Sequence, residues 1–559
     1  MKTRFLVAFS LIALALLTLF LRQPVFGNIQ CNPDVAATAY ASRNLERGGV
    51  IYDKCIETKP PGAYIVYAVM FSVFGEDMRG VYGASFLFHF LTALFLFLLG
   101  RRMHSIGAGL AAAYLYTFHS VSFGCSGLCP NFETWTMLPV SAGFYFLWRG
   151  QNGRSGYIIL AGVCGATAVL FKQTAIFFPL AAIPLLYLDR KGLPDRRARI
   201  VETGTDLIYA LIGAAIPAVA VLGFFAARDG LSPLFQALAP GATAGYAGST
   251  SISFIKEGIA ASVPYLLWHS ITLITLASAI FWAPLFIADD SEKPRHERAR
   301  RVIITWLVAA ILSVVAGTKF YDHYFIVLMP PLALAAGYSA IRLAVDASSR
   351  RILTALIAAF VVLSAPVDMA LELKVAWKAL QERTTDQGLD YRTMDDLHWS
   401  KAELVRTWRW SLEMERVGNC IAKHTQPNDR IFVWDYIPGV YWYANRTSPT
   451  RHYMYFEVAI NLPRGHGAWH TREDFVVQKN REEMMSDFAA DPPQYIVAFS
   501  REFDPDNPSD FILTIAPMFT GLRDFTDQYY APDPACSTKH IKVYKSKPNI
   551  AELQKTPGQ

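Results

Sequence analysis

Charge is scarce in this chain. Of 559 residues only 18% are Asp, Glu, Lys or Arg, against 53% hydrophobic, and the mean hydropathy is +0.24. Too little polar surface remains for a soluble enzyme of this size, so the composition implies a polytopic membrane protein. No internal repeat or long low-complexity tract is present, which disfavours a transporter assembled from two related halves. No convincing small-x-small cleavage site follows the apolar run Phe5 to Leu21, which is also longer than an ordinary signal core; it reads as an uncleaved first span. Nor does a His pair stand at ligand spacing beside Cys125 and Cys129, which argues against structural zinc there. The net charge of +6 and pI near 8.8 come from Lys and Arg in short clusters between apolar runs. Clusters of that kind report orientation in a bilayer and give no reason to expect nucleic acid.

What is there is a series of apolar runs close to the ~20 residues a bilayer demands. Candidate spans fall at about 4–21, 80–100, 106–123, 133–149, 157–171, 172–188, 206–227, 261–287, 302–317, 323–343 and 352–369. The expected fold class is therefore an α-helical polytopic membrane protein of about eleven spans. Arg101-Arg102, Arg149 with Arg154, Arg190 to Arg199, Arg295 to Arg301 and Arg350-Arg351 then share the cytoplasmic side with Lys2 and Arg4, as the positive-inside bias requires. An odd count leaves the C-terminal part outside. Residues 63–75 are apolar but too short to span, so they should lie in the interface or re-enter, and 157–188 should be two short helices turning near Lys172-Gln173.

After Ala370 charges become frequent, and short strand-like runs, Arg430 to Trp434, Gln494 to Phe499 and His540 to Tyr544, follow a helical stretch around 401–424. The expected division is a membrane domain over 1–369, with outer loops 22–79 and 228–260, and a soluble extracytoplasmic α/β domain over 370–559. The loop from Arg228 to Gly258, with Gly241, Gly245 and Gly248, suits a lid or a plain connection equally well. Six of the seven cysteines fall on the outer side in this scheme and Cys164 alone within a span, the distribution disulfides would produce. Cys31 with Cys55 and Cys420 with Cys536 are the expected pairs. Cys125 and Cys129 are near enough to pair with each other, and a swap between the loops stays open.

The segment Cys31 to Gly75 carries Asp34, Asp53, Glu57 and Lys59 between two apolar stretches, where a membrane protein would ordinarily have a plain loop. Asp34 suits a helix N-cap, and equally a carboxylate held where a lipid-linked phosphate meets an acceptor. Lys59, before Pro60-Pro61-Gly62, suits a snorkelling lysine or a rigidly placed cation facing a phosphate. Glu133 opens a span at the membrane edge, where a carboxylate favours the helix dipole but is costly enough to suggest a site. Lys172-Gln173 interrupts an apolar pair of helices, for hairpin packing or for phosphate contact. Lys319, Tyr321, Asp322, His323 and Tyr324 crowd one helix entrance, with more charge than an aromatic anchor needs.

In order along the chain stand an outside Asp after the first span, Tyr40 to Leu45, Gly-Gly, and Lys-Pro-Pro before a short helix ending Phe-Gly. Asn-Phe-Glu-Thr, Phe-Lys-Gln-Thr and Tyr-Asp-His-Tyr-Phe then precede Pro-Pro-Leu-Ala-Leu. Over about residues 1–345 this resembles the protein mannosyltransferase and aminoarabinose transferase family of GT-C glycosyltransferases. The resemblance implies a polyprenyl-phosphate sugar donor, an outer-leaflet reaction with inversion, and location in the cell inner membrane. It makes Asp34 the catalytic base, Lys59 a contact of the lipid phosphate, and Glu133 a second acidic residue. Lys172, Lys319 and His323 are further candidates for the donor phosphate, and Asp322 and Tyr324 for the acceptor side. The acceptor, a protein, lipid A or another glycan, stays open. Many members have Asp-Glu where this chain has Asp34 followed by Val35, so a divalent cation is compatible with the reading but not assumed. Two other classes fit the outward polar loops: a flippase or transporter of lipid-linked sugars, and a non-catalytic glycan-binding membrane subunit.

Overall fold

A computed structural model of the chain describes residues 2–29, 33–121, 126–150, 154–190, 195–239, 255–260, 293–346, 399–434, 437–454, 458, 461–463, 469–471, 475–499, 519–538 and 541–550. It is mostly helical. In chain order the helices that position the site are α1 (Lys2–Arg22), α2 (Pro33–Glu46), α3 (Ile51–Lys54), α4 (Gly62–Phe74), α5 (Met78–Met103), α6 (Ile106–His119), α7 (Phe132–Arg149), α8 (Ser155–Phe171), α9 (Phe177–Asp189) and α10 (Arg196–Ala226). After them come α11 (Leu231–Leu238), α12 (Lys293–Ala316), α13 (Met329–Asp346) and α14 (Trp399–Lys423).

Among the described residues four helices are long and apolar enough to cross a membrane: Thr3–Arg22, Met78–Met103, Arg196–Ala226 and Pro294–Ala316. Phe5 and Phe9 on α1, and Leu211 and Val219 on α10, stand exposed, a placement that suits lipid rather than water. The expected spans at 261–287 and 352–369 lie outside the described residues. So do Cys31, Cys125 and the three loop glycines at 241, 245 and 248.

Local chemistry sets the boundaries. Ser105 caps α6, its hydroxyl accepting the backbone N–H of Ala108 at 3.2 Å. The short apolar run reads as α4, opened by Pro60-Pro61 and closed by Gly75 at φ +78°, a left-handed residue that any side chain would disfavour. The break expected near Lys172 is there. Lys172 is extended (φ −152°, ψ 128°) between α8 and a 3-10 turn, Gln173–Ile176, that leads into α9.

The bundle core joins Phe97, Tyr116, Phe144, Trp306 and Tyr338 from five different helices, with Phe144 and Trp306 stacked at 4.4 Å. Later in the chain, strands β1 (Ile431–Trp434), β4 (Tyr495–Phe499), β5 (Tyr530–Pro532) and β6 (Ile541–Ser546) form a sheet of order β1-β4-β6-β5, and β2 (Asn461–Pro463) pairs with β3 (Trp469–Thr471). β1 and β4 are parallel; the other pairs are antiparallel. Alternation sends Ile431, Val433 and Val497 to one core and Phe432, Trp434 and Ile496 to another. The sheet is thus covered on both faces, the first by Met414, Val417 and Ile421 of α14.

That first face continues into the segment 33–75. Tyr40 of α2 packs on Tyr441 and Tyr453 with ring centroids 4.6 and 4.7 Å away, its hydroxyl accepts the backbone N–H of Ser448 at 2.9 Å, and Arg43 lies 3.8 Å over the Trp442 ring. Of the expected disulfides, Cys420–Cys536 is formed. Cys31–Cys55 is corrected: Cys55 is free and buried, with the Asn44 amide donating to its sulfur at 3.2 Å. Its place inside the core that α2 and α4 share explains why it acts as a small apolar residue. Cys129 is also disulfide-bonded.

Candidate functional site

Five side chains chosen from separate stretches of sequence meet at one point. Asp34 lies in the first turn of α2, which starts at Pro33; it is therefore inside the helix, not its N-cap. Its Oδ2 is 3.2 Å from Lys59 Nζ and 3.4 Å from His323 Nε2. His323, on the 3-10 turn Asp322–Leu328, also stands 4.0 Å from Glu133 Oε1. Glu133, in the first turn of α7, receives Lys172 on that same oxygen. Asp34–Lys59 and Glu133–Lys172 are thus two ion pairs joined by one imidazole.

Each cation is backed by a ring. Lys59 Nζ is 4.3 Å from the Phe132 ring centroid and Lys172 Nζ 3.4 Å from that of Tyr324. Charge over an aromatic face in a dry site is held without a second counter-ion. Glu133 is 2% exposed, and its Oε2 is buried with no hydrogen-bond partner, an acceptor that stands ready for an incoming donor.

The backbone explains the convergence. A Cβ on Gly62 would fall 2.6 Å from the Leu170 carbonyl oxygen, so glycine there lets α4 press on the end of α8, and Lys59 and Lys172 come together. The Gln173 amide donates to the Thr58 carbonyl at 2.7 Å and the Tyr52 hydroxyl to that of Lys59 at 2.9 Å, locking the loop. At the other entrance Thr318 and Phe320 take φ of +56° and +52° on either side of buried Lys319. Left-handed non-glycine residues on this scale cost about 1–3 kcal/mol each and cluster at working sites.

Beside the ion pairs opens a cleft of about 550 Å3, its mouth included, lined by Asp34, Glu57, Lys59, Tyr64, His452 and Tyr453 among others. Glu57 accepts a hydrogen bond from the Tyr453 hydroxyl at 2.5 Å. Burial raises the Glu57 carboxyl above its usual range, against the opposing pull of Lys59 and Tyr453. Burial would lower Lys59, yet the carboxylates of Asp34, Glu57 and Glu133 outweigh it and its pKa is raised, so the ammonium stays charged.

Of the other predicted residues, Tyr324 is buried as the ring beneath Lys172. Asp322 is half-buried at the start of the same turn, and Asp53 is exposed beside Lys54 at 3.4 Å. The sequence reading passed over Arg451, His452 and Tyr453, which line the cleft from some 400 positions away. Arg451 and His452 share Glu483, at 2.7 and 3.5 Å. Only the run Arg-His-Tyr between strands could have flagged them.

The profile of the dolichyl-phosphate-mannose-protein mannosyltransferase family matches residues 58–224. The undecaprenyl phosphate-alpha-4-amino-4-deoxy-L-arabinose arabinosyl transferase of Pseudomonas aeruginosa (strain UCBPP-PA14) is 33% identical over 140 residues, 24% of this chain and 26% of that protein. Its second form in Pseudomonas fluorescens is 30% identical over 167 residues, 28% of each chain. The matched stretch thus spans about a quarter of those curated relatives. ArnT from Cupriavidus metallidurans, solved bound to undecaprenyl phosphate, superposes over 98% of this chain and 99% of its own, with a TM-score of 0.54 at 14% identity. The chain shares the fold of that protein. The apo state of the same protein gives a TM-score of 0.53 over the whole of both chains.

A divalent cation fits the site poorly. Two of its carboxylates already hold ammonium groups, which a metal would have to displace. Among the described residues the one group of three metal-type ligands is Cys420, His424 and Cys536, and its two sulfurs are joined to each other.

Proposed function

We propose that the protein transfers a sugar from a polyprenyl-phosphate carrier to an acceptor hydroxyl on the extracytoplasmic face of the inner membrane, with inversion. The observation that carries this is the Asp34–Lys59 pair at 3.2 Å, set beside a cleft and bridged through His323 to Glu133 and Lys172. In the free enzyme Lys59 neutralises Asp34. A donor phosphate competes for Lys59, and as it takes the ammonium it leaves Asp34 a freer base. Asp34 then accepts the acceptor proton while the acceptor oxygen bonds to the anomeric carbon. The bond from that carbon to the phosphate oxygen breaks, and polyprenyl phosphate departs with its charge held by Lys59 and Lys172.

The Cys420–Cys536 disulfide supports an oxidising location for the residues around the sheet, and with them the cleft that Tyr453 closes. The wall made by Arg451 and His452 suits the acceptor side, because the lysines take the donor phosphate from the other. A soluble extracytoplasmic domain over 370–559 and a membrane domain over 1–369 belong to the same reading. The test is direct. Purified protein is incubated with a panel of polyprenyl-phosphate sugars and the release of polyprenyl phosphate is followed. The wild type should release it with one sugar class and Asp34→Asn should not; Asp34→Asn turnover near normal would remove Asp34 from the role of base. Carrier crossing the bilayer without sugar release would favour the flippase reading.

A further inference from the structure

Three helices that carry the site at one end carry a second charged feature at the other. Glu133 is in the first turn of α7, and Trp148 is near its last residue, about 22 Å further along at the helical rise. Asp189 ends α9, which begins shortly after Lys172, and Arg295, Arg298 and Arg301 lie in the first turns of α12, whose far end leads to Lys319 and His323. Arg101 and Arg102 from the last turn of α5 complete the group. These residues line a cavity of about 1160 Å3, its mouth included, in which five arginines face a single carboxylate.

The positive-inside bias accounts for arginines at helix ends in general. It does not account for how these are built in. Arg298 Nε and Arg301 hold the two oxygens of Asp189 at 3.0 and 3.3 Å, and Arg298 lies 4.0 Å over the Trp148 ring and donates to the Trp148 carbonyl at 3.1 Å. Arg295 donates to the Arg102 carbonyl at 2.7 Å. The Arg301 Nε–H is buried with no hydrogen-bond partner. Arg101 and Arg102 are exposed at the rim. The result is a concave, rigid floor with a surplus of forked donors, which matches the tetrahedral oxygens of a phosphate better than a carboxylate or a neutral sugar.

We propose that this cavity is a phosphate-binding site, separate from the candidate active site, that takes the headgroup of an anionic phospholipid or a soluble phosphate. Neither ligand has any part in the transfer reaction. A membrane phosphodiester and a free phosphate offer the same oxygens, so the experiment separates them. Full-length protein in detergent is titrated with cardiolipin, with phosphatidylcholine as the neutral control, and occupancy is read by native mass spectrometry. The wild type should saturate with one cardiolipin that phosphatidylcholine does not replace. The double variant R101Q/R102Q should weaken it about tenfold or more, and R101K/R102K, which keeps the charge but loses the forks, should weaken it by a smaller factor.

Displacement of cardiolipin by millimolar inorganic phosphate would assign the cavity to the soluble ligand; retention would assign it to the lipid. Either result supports the site. Cardiolipin bound equally by wild type and R101Q/R102Q, or no saturable binding of either phosphate ligand, would overturn it. Because both pairs of substitutions are at exposed rim positions, the thermal transition of each variant serves as the check on folding, and R101K/R102K keeps the test open if the glutamines disturb it.

Discussion

The two charged ends of the helical bundle obey different rules. At the candidate active site the carboxylates of Asp34 and Glu133 each have a lysine, and the charges are buried and balanced. At the opposite end arginines exceed carboxylates five to one around an open cavity. Lysine is a compact, strongly hydrated point charge that can change partners, whereas arginine is a fixed fork that holds one. On that ground the first end suits an exchange of ions and the second the retention of one.

The largest expected break in this contrast comes from Asp34→Asn. If the carboxylate takes the acceptor proton, sugar transfer should fall by roughly 10²–10⁴-fold, the usual worth of a general base, with only a small change in melting temperature. Next, Lys172→Met should leave buried Glu133 without its ammonium, with only the more distant His323 beside it, and cost about 3–5 kcal/mol of stability, measurable by denaturant or thermal unfolding in detergent. Asp189→Asn at the other end keeps an oxygen that Arg298 and Arg301 can donate to, but removes the carboxylate from a largely buried pair, so its cost should be smaller than that of Lys172→Met, about 2–3 kcal/mol. Equal losses from the two variants would contradict the contrast between a closed, balanced site and an open, unbalanced one.

A finer test uses pH. Burial raises the Glu57 carboxyl above its ordinary 4.5, so the folded protein holds that proton more tightly than the unfolded chain does. Its stabilisation is complete below about 4.5 and is lost as pH rises through the raised value. The melting temperature of the wild type should therefore fall across that window relative to Glu57→Gln, and parallel curves would show that Glu57 does not titrate there. The smallest effect should come from Tyr40→Phe, which keeps the stack on Tyr441 and Tyr453 but loses the Ser448 hydrogen bond. A cost of about 0.5–1.5 kcal/mol is expected.

Much of the candidate site was legible beforehand because ionisable residues beside apolar runs are expensive and therefore conspicuous. Asp34, Lys59, Glu133, Lys172 and His323 all stood out on that ground, and the structure brings them within a few ångströms of each other. Arg451, His452 and Tyr453 did not, since in a polar stretch a charged or aromatic residue carries no such signal. The Cys55 assignment failed for a related reason. Cysteine counts report a compartment, but whether a thiol pairs depends on which sulfur lies next to it, and Cys55 is enclosed by the apolar core of α2 and α4 instead.

Apolar run length, proline and glycine placement and the spacing of basic clusters determined where helices start and stop and which residues sit at their ends, because these depend on backbone chemistry within a few positions. Tertiary structure alone decided which of those ends meet. Ion pairs such as Asp34–Lys59 and contacts such as Tyr453–Glu57 are made by packing across 25 and 396 positions, and burial, which sets the strength of each, exists only once distant helices have closed over the charges.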